Sequence, residues 1–169
     1  MSNLDQFTQV KRMLKNLDAW LVKATEYAGK KSFDVNVLAQ ARLAPDQLPL
    51  SRQVQIACDS AKGLFANLGN KTAPSHPDTE TTIPELRQRI QTCLTFLESV
   101  SEADLNGHEG RKVTLAFMKD KAFRGDGYLV QFALPNIYFH VTTAYAILRH
   151  NGVDLGKQDY LGGLPPEFK

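Results

Sequence analysis

One histidine stands where an imidazole could do chemistry. In ALPNIYFHVTTAYAILRHNG, residues 133–152, His140 sits inside an otherwise apolar helical pattern. The stripe Ile137, Val141, Ala144 and Leu148 defines the most apolar face, and His140 lies one position off it, beside Asn136, Thr143 and Ile147. This spacing predicts an imidazole turned toward a bundle interior or the edge of a pocket. A metal-binding helix carries H-x-x-x-H, because residues four apart are neighbours on one face. Here the flanking positions are Asn136 and Ala144, so no second imidazole accompanies the first. Acid–base chemistry is left. Asp59 and Gln55, one turn apart on an earlier helix, are the expected partners; an Asp–His contact would raise the imidazole pKa and make His140 a general acid or base near neutral pH, with Asp59 orienting it. The same pair would also serve as an inert core contact.

Arg52 and Asn136 could fix an anionic substrate, and Tyr145 could line the same pocket, although a solvated arginine and a helix-start asparagine describe the first two equally well. The other histidines are less suggestive. His76, in PSHPD, and His108, in NGHEG, are expected in solvent, and His150 falls in a last helical turn, where a charged imidazole suits the helix dipole. Phosphate loops of the type GxGxxG or GxxxxGK[ST] and a G-x-S-x-G elbow are absent. Cys58 and Cys93 have no C-x-x-C spacing and read as buried free thiols.

The elements that must position these residues are helices. Leu4, Phe7, Val10, Leu14, Leu17, Leu21, Ala24 and Ala28 recur at steps of three and four, which predicts an amphipathic helix over residues 3–29 with Trp20 flanking its buried stripe. A short helix over 34–41 and a loop broken by Pro45 and Pro49 follow. Ser51 is placed to cap the second long helix, which buries Val54, Cys58, Ala61, Phe65 and Leu68. Residues 69–81 read as a surface linker, and Thr82 with Glu85 as a capping box opening a helix that buries Ile83, Leu86, Ile90, Cys93 or Leu94, and Leu97. The alternation Val113, Leu115, Phe117 suggests a strand, paired weakly with 121–124 in a small β-hairpin before the last helix. Pro135 predicts a start or kink there, Gly152 an end, and the Gly- and Pro-rich tail an extended course. Four long helices make an all-α four-helix bundle, one domain over 1–169.

Composition narrows the functions. The chain has 169 residues, enough for one domain that buries roughly 70% of its unfolded surface. A net charge of +2 with scattered cations gives no footprint for nucleic acid. No apolar run approaches the ~20 residues that cross a bilayer, and no signal segment is visible, so a cytoplasmic protein is expected.

Two segments, PLSRQVQIACDSAKG (49–63) and LPNIYFHVTTAYAILRHNGVDLGKQDYLG (134–162), resemble an uncharacterised bacterial branch of the DinB/YfiT-like superfamily of metalloenzymes, a domain of unknown function. The resemblance extends over nearly the whole chain. It implies an up-down-down-up bundle, often a homodimer, and relatives that are metal-dependent transferases or isomerases acting with small thiols such as mycothiol or bacillithiol. In them a histidine on the second helix and an H-x-x-x-H pair on the fourth hold a divalent ion. Carried over position by position, only His140 matches; Ala144 replaces the second imidazole of the pair, and Gln55 or Asp59 stands where the second helix would supply one. The reading is therefore a small-molecule binding protein or degenerate enzyme with a pocket near His140 and no resident cofactor. The alternatives are a thiol transferase with Zn or Ni on His140 and a non-catalytic dimeric interaction protein.

Overall fold

The computed structural model describes residues 4–118 and 121–163. Four long helical segments carry the core: α1 (Leu4–Lys31), α2 (Leu50–Gly69), α3 (Ile83–Ser99) and a last helix in three parts, α5 (Gly125–Tyr128), a π-helical turn (Leu129–Ala133) and α6 (Leu134–His150). Between α3 and α5 lie a one-turn helix, α4 (Glu102–Leu105), and two antiparallel two-residue strands, β1 (Lys112–Val113) and β2 (Phe123–Arg124). A five-residue helix, α7 (Lys157–Leu161), ends the described chain. Among the described residues no helix is long and apolar enough to cross a membrane.

Cross-helix contacts fix the directions. Gln55 reaches Glu80 just before α3, Asp59 meets Arg89 and Gly69 lies against Val100, so α2 and α3 run parallel. Asp18 pairs with Arg87 and Lys15 with Glu98, so α1 opposes α3. Gln53 meets His140 while Asn67 meets Tyr128, so α6 opposes α2. The result is the up-down-down-up bundle. Its parallel middle pair has a cost in chain length: α2 spans 20 residues, about 30 Å at 1.5 Å per residue, and residues 70–81 must return that distance to start α3. At about 3.3 Å per extended residue they can, but only as a taut segment along α2.

The stripe in α1 is buried from Phe7 to Ala28 as its periodicity predicts, with Leu4 partly buried, and Trp20, expected at its flank, is fully inside. Thr82 and Glu85 close the capping box at α3, and both Cys93 and Leu94 are buried. Pro135 lies in the first turn of α6, where a start was expected, and the chain runs into it from the π turn without a break. Its ring crowds the carbonyl four residues back and it has no N–H to donate; the chain absorbs this in the π turn, where the Leu134 N–H donates to Leu129 O, five residues back. The helix ends at His150, and Gly152, just past the C-cap Asn151, takes a φ of +93° that suits only glycine without strain.

Four expectations need correction. Ser51 does not cap α2; Pro49 holds the N-cap position and Ser51 is buried within the first turn. Leu115 and Phe117 lie outside the two-residue strand, and Phe117 is exposed, because only two residue pairs are in register. His108 is buried, not solvated, with its ring edge-on to Phe7 and its Nδ1 donating to Leu105 O at 2.9 Å. The tail is not simply extended: Tyr160 stacks on Trp20, whose indole N–H donates to Asp159 O at 3.1 Å, and this docking shapes α7. The tail's final residues, 164–169, fall outside the described residues.

The turn at His108 sets a steric limit. A Cβ on Gly125 would lie 1.7 Å from His108 O, a backbone atom that cannot step aside. Gly125→Ala is expected to cost about 1–3 kcal/mol in urea unfolding, whereas Gly127→Ala, with only the end of Gln131 at 4.0 Å, should leave stability unchanged or raised. Equal effects of the two would contradict this packing.

Candidate functional site

α2 carries two polar faces. The first faces α6. His140 Nδ1 lies 2.8 Å from Gln53 Oε1, and Gln53 Nε2 donates to Leu48 O at 2.9 Å. That second bond orients the carboxamide, since the amide nitrogen must face the carbonyl. Gln53 therefore offers an oxygen to the imidazole, Nδ1 carries the proton, and in the neutral ring Nε2 carries the lone pair. Burial holds the His140 pKa below the usual imidazole value of 6.5. Among the described residues Nε2 has no hydrogen-bond partner, and it is not one of the polar atoms cut off from both partner and solvent, as His108 Nε2 is. Two turns further along α2, Ser60 accepts from Asn136 Nδ2 at 2.7 Å. Beside this seam a depression of about 430 Å³ is lined by Leu43, Tyr138, Phe139, Thr142, Thr143 and Ala146. Phe139, edge-on to the His140 ring, is 57% exposed.

The second face faces segment 70–81. Arg52, Gln55, Asp59 and Lys62 recur at steps of three, four and three, so they share one side of the helix. Arg89 of α3 comes to them with its side chain 1% exposed. It binds Asp59 at 2.8 Å, Asp78 at 3.0 Å, Glu80 at 2.9 Å and Pro77 O at 3.2 Å. Burial alone would lower its pKa; Glu80, Asp59 and Asp78 reverse the sign and raise it. Arg52 holds Asp78 at 2.6 Å and Gln55 at 2.7 Å, and Gln55 in turn donates to Glu80 at 2.9 Å. The Arg52 bond, assisted by Arg89 against the effect of burial, keeps Asp78 below the usual carboxylate range.

These two faces sort the residues singled out in the sequence. His140 and Asn136 share the α2–α6 seam. Asp59, Gln55 and Arg52 belong to the Arg89 network, so the partner of His140 is Gln53, and the expected rise in its pKa is a fall. Tyr145 lies elsewhere, edge-on to Trp20 and Tyr160 with its hydroxyl donating to Leu155 O at 3.4 Å. Sequence reasoning missed Gln53, Ser60, Lys62 and Arg89. The signal for Arg89 was its place three residues after Leu86 on the buried stripe, with acidic PDTE just upstream. Cys58 and Cys93 are both buried and free; Cys93 beside it, and then burial, push the Cys58 thiol well up.

Residues 5–161 match the family described as a domain of unknown function, DUF1993. The chain belongs to the DUF1993 family. It is also similar in structure to a DinB family member protein from Shewanella denitrificans, at 50% identity and a TM-score of 0.90, covering 94% of this chain and 90% of that one. No curated protein matches it. The DUF1993 chain is thus a DinB-like helical bundle. A divalent ion is implied by that superfamily, but the donors gathered at His140 do not suit one. Gln53 Oε1 already accepts from its ring, Asp59 is committed to two cations, and no group of three His, Cys, Asp or Glu is assembled among the described residues.

Removing the buried cation tests the network. Arg89→Met should lower unfolding stability by about 3 kcal/mol, at the low end for a buried ion pair because Asp59 and Asp78 are 43% and 35% exposed and can rehydrate. An unchanged urea midpoint would show that the carboxylates do not depend on the guanidinium.

Proposed function

We propose that this DUF1993 protein is a small-molecule binding bundle, or a degenerate enzyme, whose site is His140 with its orienting Gln53 and the apolar depression lined by its helix neighbours Phe139 and Thr143. The observation that supports this most is the state of His140: nearly buried, neutral, fixed in one tautomer, with a free lone pair on Nε2. Such a nitrogen accepts a hydrogen bond or a proton. The ligand that suits it has an apolar body of modest size for Leu43, Phe139 and Ala146, and one O–H or N–H donor for the imidazole. Asn136 remains a second polar contact on the same seam. Arg52, Gln55, Asp59 and Tyr145 are left out of this site, because each is engaged elsewhere. A cytoplasmic setting is part of the proposal, supported by the two free thiols.

Metal-dependent thiol transfer is the runner-up, and metal content separates it: near-stoichiometric Zn or Ni in untagged protein, lost in His140→Ala, would restore it. A homodimer that covers Phe139, Leu43 and Leu48 with a second copy is the third reading, separable by sedimentation.

Phenol-type fragments, scored by chemical-shift changes at Thr143 and His140, test the proposal itself. His140→Ala should weaken binding about fivefold, the loss of one hydrogen bond of ~1 kcal/mol. Because the folded pKa is depressed, binding to Nε2 should be complete above about pH 6.5 and fall only as the pH drops through the lower native value. Fragments that ignore the seam, or bind the variant equally well, would refute it.

A further inference from the structure

Segment 70–81 is bound to the α2–α3 groove through a contact that requires one histidine to be uncharged. We propose that it is a pH-sensitive strap: neutral His76 closes it onto Lys62, and protonation of His76 releases it.

Lys62 is nearly buried, its side chain 5% exposed. It meets Asp59 at 2.9 Å, Pro74 O at 3.1 Å and His76 Nδ1 at 2.7 Å. An ammonium group has three donors and no acceptor. His76 Nδ1 must therefore present a lone pair, with its ring proton on Nε2. A proton added at Nδ1 would set N–H against N–H and a cation against a cation.

The surroundings hold both signs. From α2 come Lys62 and Asp59, with Arg52 further along; from α3 comes Arg89; from the strap itself come Asp78 and Glu80. Asp59 and Glu80 favour a charged imidazole, but Asp59 is already shared by Lys62 and Arg89, and Glu80 is held by Arg89 and Gln55. Burial, then Lys62 and Arg89, outweigh them and hold the His76 pKa below 6.5. The sign follows. The unfolded chain binds the proton more readily, so the closing contact is complete above about pH 6.5 and is lost as the pH falls through the lower folded value.

Release is confined to the first half of the strap. The second half stays on Arg89 and Arg52 through Asp78, whose depressed pKa keeps it ionised in this range, and is followed by the Thr82–Glu85 capping box. The other end pivots at Asn70, which already sits in the left-handed region at φ +51°. An open first half would leave Lys62 with Asp59 alone and bare the groove beneath it.

The test is amide relaxation by NMR on the full chain, from about pH 7.5 to about pH 5, beside the ring titration of His76. The heteronuclear NOE of Thr72, Ala73, Ser75 and His76 should be lost with a midpoint below pH 6.5 that tracks the His76 titration. His76→Gln should stay rigid throughout, because its carboxamide oxygen accepts from Lys62 at any of these pH values. A strap that stays rigid in the wild type, or loosens equally in His76→Gln, would overturn the proposal.

Discussion

A guanidinium buried between two helices cannot shed its proton, so the bundle must supply negative charge to it. Arg89 is that group. Its side chain is almost wholly out of water, and three carboxylates, Asp59, Asp78 and Glu80, converge on it. Only Asp59 comes from a packed helix. The other two ride on the segment that returns from the end of α2 to the start of α3, so compensating the charge and closing the parallel helix pair are one structural problem with one solution. The balance is even: Arg52, Lys62 and Arg89 against Asp59, Asp78 and Glu80.

The chemistry of His140 follows from that commitment. Asp59 is held on the far side of α2 by two cations, and what α2 turns toward α6 is a carboxamide. With a neutral partner, burial alone decides the imidazole pKa, and it moves down. Had a carboxylate faced the ring, His140 would have been a cation over much of the neutral range. As it stands, His140 is a base and an acceptor. The same commitment leaves Gln53, Asn136 and Ser60 as the polar side chains that share the α2–α6 seam with His140.

Periodicity made the helices legible and left their partners unread. The α1 stripe, the Thr82–Glu85 cap and the Gly152 stop are local, each decided within one or two turns, and each appears as the spacing predicts. The pairing of α2 with α3 is not local. Nothing within 51–69 tells whether Asp59 or Gln53 faces the last helix, since they sit on different sides of a helix buried on both, and the choice depends on Arg89, 30 residues beyond Asp59. His108 misled for a related reason. NGHEG has a turn composition, but the turn is pressed beneath Phe7 and against Gly125, and a polar residue in a turn is solvated only when the turn lies on the surface. Tyr160 repeats the lesson, as a Gly- and Pro-rich tail is still anchored where an aromatic ring finds Trp20.

The 50% identity to the DinB family member from Shewanella denitrificans extends over nearly all of both chains and supports the fold, while the proposed function turns on the state of His140. The most direct test is the nitrogen spectrum of its imidazole near pH 7. A neutral ring protonated at Nδ1, titrating below 6.5, is what Gln53 and burial dictate. An imidazolium at neutral pH, or a ring protonated at Nε2, would mean that a charge or a ligand now unassigned faces it, and the account of the site would fail.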